Sequence, residues 1–138
     1  MSYNITIACK KENLKTLREF VSESLQNHGL SDVDINAMVL AIDEISANLI
    51  IHAHNNNPKD SFDLKIEILN DGIEFKIFDD ADVFDITKYE APELSEIIRT
   101  KRKGGVGLIL VKKIMDEITF EKKSGKNCCR LYKKTEVH

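Results

Sequence analysis

Residues 62–69 alternate apolar and polar side chains as FDLKIEIL, Asn70-Asp71-Gly72 follow, and residues 73–78 alternate again as IEFKIF. Period-two patterning on both sides of an Asn-Asp-Gly turn predicts an antiparallel hairpin, the strongest local signal in the chain. A hairpin with one apolar side must cover that side. The remaining sequence supplies the cover. Residues 3–9 (YNITIAC) alternate as a first strand, and residues 12–28 put Leu14, Leu17, Val21 and Leu25 on one face of a helix ended by Gly29. Ser31 caps a longer helix with Asp32 and Asp34 in its first turn; it runs to about His54 and stops at Asn55-Asn56-Asn57-Pro58. A polar loop over 79–103, with a short helix near 93–99, leads into a helix that begins among glycines. Two strands, 118–122 and 127–133, turn at Ser124-Gly125. This order predicts an α+β fold: a two-layer sandwich whose mostly antiparallel sheet is covered on one face by helices.

At 138 residues the chain reads as one domain, 1–138, long enough to bury a core. Its net charge of −3 argues against direct nucleic-acid binding, which calls for a basic surplus. No apolar run approaches the ~20 residues that span a bilayer, and MSYNITIACKKENL lacks the apolar centre of a secretory signal. Cys9 and the adjacent Cys128 and Cys129 form an odd set suited to a reducing compartment, and with His52 and His54 they show no zinc spacing. The expectation is a cytoplasmic protein.

Three constellations carry candidate chemistry. On the long helix that carries AIDEISANLIIHAH, residues 41–54, Met38, Ile42, Ile45 and Leu49 make the apolar stripe that faces the sheet, while Glu44, Asn48 and His52 share another face. A carboxylate and a carboxamide one turn apart can serve as general base and Mg²⁺ ligand; a solvated helix face would have the same spacing. Asp79 closes the second hairpin strand, which suits either a ligand-orienting side chain or an ordinary acidic turn. Three of the six glycines fall in Gly104-Gly105-Val106-Gly107, at the start of a helix marked by Val106, Leu108, Ile109, Val111, Ile114 and Met115. A helix start presents unpaired N–H groups to anions, although a glycine cluster also makes a plain turn. Arg99, Lys101, Arg102 and Lys103 precede it.

Taken in order, Glu-x-x-x-Asn on a long helix, an Asp after the hairpin, a loop and then GGxGLxLV resemble the GHKL (histidine-kinase-like) ATP-binding fold. More narrowly, the chain resembles the bacterial anti-sigma factor serine-protein kinases, from the first strand to the last. DEISANLIIHAH is similar to the family's N-box, and GGVGLILVKKIMDEI to its second glycine box.

The resemblance implies ATP between the long helix and the glycine-led helix, beneath residues 79–103 as a lid. Asp79 would accept from the adenine amino group, and Asn48 would hold Mg²⁺ through its side-chain oxygen. Backbone N–H groups around Gly104, Gly105, Val106, Gly107 and Leu108 would cradle the phosphates, with Lys103 near the terminal one. Glu44 would take the proton from an attacking serine or threonine hydroxyl. His52 aligns with a histidine common after the N-box and is expected to be structural. Ala81 stands where the first glycine box usually carries glycine, in D-x-G; nucleotide binding is expected to survive its methyl in weakened form. The implied activity is Mg-ATP-dependent phosphorylation of a small anti-sigma-factor-antagonist protein. A sigma factor is a second implied partner and a homodimer the implied assembly. The alternative, resting on Ala81, is an ATP- or ADP-binding partner-switching regulator with little or no kinase activity.

Overall fold

In the computed structural model, which describes residues 1–79, 105–123 and 125–135, the predicted hairpin is β2 (Ser61–Ile68) and β3 (Gly72–Asp79). Ile66 lies opposite Phe75 and Leu64 opposite Ile77, so the apolar members of both strands share one face. β1 (Ser2–Ala8) pairs antiparallel with β2, placing Ile7 opposite Phe62. β4 (Glu117–Lys123) and β5 (Lys126–Lys134) form a second hairpin, and β5 pairs antiparallel with β3. The five strands therefore lie in the order β1-β2-β3-β5-β4, with β3 at the centre.

One face of this sheet carries the core. Phe62, Leu64, Ile66, Ile73, Phe75, Ile77 and Leu131 are almost fully buried there. Each such side chain gains about 2 kcal/mol on leaving water. On the opposite face Arg130 Nε donates to Glu74 Oε2 at 2.6 Å and stands over the Tyr132 ring, as befits a wetted surface. The sheet is thus apolar on one side only, as the alternation requires.

Three helices complete the cover. α1 (Leu14–Leu25) follows a 3₁₀ turn (Lys11–Asn13) and buries Leu17, Val21 and Leu25. It ends earlier than the sequence suggested. Gln26 turns extended and Asn27 takes φ 67°, a left-handed conformation that asparagine tolerates. α2 (Asp32–Asn48) begins as expected, with the Asp34 N–H donating to Ser31 Oγ at 3.1 Å. It packs between α1 and α3 (Gly105–Ile114), burying Met38, Ile42 and Ile45. The α+β sandwich expected from the sequence is the observed fold, with every strand pairing antiparallel.

The end of α2 departs from expectation. The α-helix stops at Asn48, and Leu49–Ala53 form a π-helical turn. The His54 N–H donates to the Leu49 carbonyl, five residues back, at 2.9 Å. Asn55 and Asn56 then adopt φ 50° and 55°, and the Asn56 N–H returns to the Ile50 carbonyl at 2.7 Å. The asparagine run is indeed the breaker, but the last turn before it is wider than an α-turn. Such turns recur at functional sites.

Candidate functional site

Glu44 and Asn48 lie one turn apart on α2, as the i, i+4 spacing predicts. Asn48 is buried, and its Nδ2 donates to the Glu44 carbonyl at 2.8 Å. That bond commits the amide nitrogen to the helix and leaves Oδ1 as the atom suited to a hard cation. The residue therefore fits the metal role that the sequence suggested. Among the described residues, no group of three or more His, Cys, Asp or Glu could hold a metal on its own.

Glu44 points at α3. A Cβ built on Gly107 would run into the Glu44 carboxyl group, with Cδ at 2.8 Å and Cγ at 3.3 Å. The glycine is therefore a space requirement: it lets a carboxylate from α2 rest on the first turn of α3. Burial raises the Glu44 pKa, and the neighbouring Asp43 charge adds to the shift. A carboxylate displaced upward in this way is better matched to taking a proton near neutral pH. α3 begins at Gly105, so the N–H groups of residues 105–107 in its first turn have no acceptors inside the helix. A carboxylate and a helix start with unpaired N–H groups are thus in contact.

The other end of the site is Asp79, the last residue of β3, which is 6% exposed. A buried carboxylate requires a donor. His54 supplies it: Nε2 lies 3.0 Å from Asp79 Oδ2, while Nδ1 lies 3.0 Å from Asp60 Oδ2. Burial opposes a charge on the ring, yet the hydrogen bonds and charges of Asp60 and Asp79 outweigh it and raise the His54 pKa. His54 thereby joins the end of α2 to the end of β3.

The sequence reading did not single out His54. Extrapolating α-periodicity past Asn48 put His52 on the Glu44 stripe; the π-turn changes the register, and His54 is the histidine bonded to Asp79. The breaker directly after His54 was the available signal, because a helix seldom keeps its period into such an end. Ala81, Lys103 and Gly104 lie outside the described residues, as do the 79–103 loop beyond Asp79 and its short helix. The side chains of His52, Val106 and Leu108 are also outside the description. Glu44, Asn48 and Gly107 are brought together, and Asp79 is tied to the same helix through His54.

Residues 7–133 match the family described as histidine kinase-like ATPase domain. Two relatives called serine-protein kinase RsbW, from Staphylococcus aureus strains MSSA476 and MW2, are each 32% identical over 124 residues. In both cases the match covers 86% of this chain and 78% of the relative. Among solved structures, that of the RsbU and RsbW domains of Rv1364c from Mycobacterium tuberculosis aligns with a TM-score of 0.68 at 16% identity. The alignment covers 99% of this chain and 32% of that one, and it shows the fold.

Proposed function

The chain belongs to the histidine kinase-like ATPase domain family, with serine-protein kinases among its relatives, and from that premise we propose that it is an anti-sigma-type protein serine/threonine kinase. The substrate is a Ser or Thr hydroxyl on a small anti-sigma-factor-antagonist protein. A sigma factor is the alternative partner in the switch. The protein works in the cytoplasm, with a homodimer as its assembly. No helix among the described residues is long and apolar enough to cross a membrane.

ATP occupies the space between α2 and α3. Asp79 accepts from the adenine amino group, the N–H groups of residues 105–107 bind phosphate oxygens, and Lys103 screens the terminal phosphate. Asn48 holds Mg²⁺ through Oδ1, and the ion supplies neutralisation of phosphate charge. Glu44 takes the proton as the substrate hydroxyl oxygen bonds to the γ-phosphorus. The bond from that phosphorus to the bridging oxygen breaks, and ADP departs with the electron pair. Such a reaction depends mainly on positioning and charge.

The observation that carries this reading is the Glu44 carboxyl resting on Gly107 in the first turn of α3, which supports Glu44 as the base. Calorimetric titration with ATP, with and without Mg²⁺, should show metal-dependent binding that Asp79→Asn abolishes. Glu44→Gln should retain that binding and lower phosphate transfer by about 10²–10⁴-fold. Transfer at the wild-type rate in Glu44→Gln would remove Glu44 from the role. Ala81 favours a second reading, a nucleotide-binding switch without transfer; the same titration with full binding and no phosphorylated product would establish it.

A further inference from the structure

His54 is 3% exposed at its side chain and lies between two carboxylates, with both ring nitrogens at 3.0 Å from an oxygen. Carboxylates accept and do not donate, and a neutral imidazole has only one N–H. Both contacts are satisfied together when the ring carries both protons. The two partners differ. Asp60 is 41% exposed at its side chain and can turn to water, whereas Asp79 is 5% exposed and, among the described residues, has the ring as its donor. Asp79 has two oxygens, and Oδ2 is the one engaged by His54.

We propose that His54 is the positioning residue for base selection: through Nε2–H it pins Oδ2 of Asp79 and so presents Oδ1 to an exocyclic amino group such as that of adenine. The inference rests on the nucleotide reading above and deepens it. Without the ring, a buried carboxylate lacks its donor and rotates or takes up a proton, and a protonated carboxyl no longer discriminates in favour of an amino donor. The π-turn is the backbone device that delivers the ring, since it ends at Ala53 with the His54 N–H bonded to the Leu49 carbonyl and His54 bonded to Asp79 at the end of β3. Asp60 anchors the far side of the ring through Nδ1.

The test compares ATP with inosine triphosphate, which lacks the amino group, by titration calorimetry. A glutamine side chain puts its amide nitrogen near the place of Nε2, whereas an asparagine reaches only the place of Nδ1. His54→Gln should therefore keep the ATP preference, and His54→Asn should lose about tenfold of it. Asp60→Asn, which leaves the Asp79 bond intact, should also keep it. A role confined to folding would not distinguish the two nucleotides, nor order the variants this way. Because the ring is buried, the wild type offers a second readout that needs no substitution. The ¹⁵N resonance of His54 Nε2 should move on ATP addition and move much less on adding inosine triphosphate. Equal movement with both nucleotides, or a full ATP preference in His54→Asn while Asp79→Asn has lost ATP binding, overturns the inference alone. No binding of either nucleotide to the wild type overturns the nucleotide reading and this inference with it.

Discussion

Gly107 has a reason for being glycine that lies 63 positions away in the chain. Its missing side chain is the room taken by the Glu44 carboxyl. Gly107→Ala should cost about 1–3 kcal/mol in urea denaturation, as overpacking does. Most of that penalty should vanish in a Glu44→Ala background, because the shorter residue clears the space; an additive double-mutant cycle would refute the contact. The glycine cluster was legible in the sequence as a helix entry that could receive an anion. Its partnership with Glu44 was not, since no local pattern reports which side chain of another helix comes to rest there. His54 was hidden for a related reason: what matters is its neighbour on β3, and a sequence carries no marker for that pairing.

At the scale of elements, the helix starts were easier to read than the helix ends. Ser31 followed by Asp32 and Asp34 announces the start of α2, and the Asp34 N–H does bond to Ser31 Oγ. Ser31→Ala should lower stability by about 1 kcal/mol in thermal unfolding while leaving ATP affinity unchanged, because the cap lies at the far end of α2 from Asn48. The opposite end was misread as a continuous α-helix to about His54. Leu49, Ile50 and Ile51 are apolar in succession, so that stretch has no polar face from which to read a period. The π-turn is fixed by packing and by the left-handed asparagines beyond it, both of which are tertiary facts. The hairpins suffered little of this, because strict alternation and a turn specify face and register together.

For the molecule as a whole, the site residues set how stability depends on pH. His54 has a raised pKa, so the stability it contributes is complete below the ordinary imidazole value of about 6.5 and is lost as pH rises through the higher folded value. Glu44 is also raised, so its contribution fades as pH climbs above the ordinary glutamate value of about 4.3. Glu74 runs the other way: burial would raise it, but Arg130 and Lys76 bring it below normal, and its stabilisation disappears as pH falls through that lowered value. Melting temperature should therefore peak in the weakly acidic range and fall above about pH 6.5. Glu44→Gln should melt higher than the wild type at pH 8, and a flat profile from pH 5 to 9 would contradict these assignments. The composition and element order made the two-layer α+β architecture legible, because each amphipathic element has one apolar face and few ways to bury it. The strand order carries a consequence for synthesis. β1 is made first, yet its pairing partner starts at Ser61, so every residue between Ala8 and Ser61 must be made before the first strand can find its place. The nascent chain therefore holds its opening strand unpaired while both α1 and α2 are being extruded.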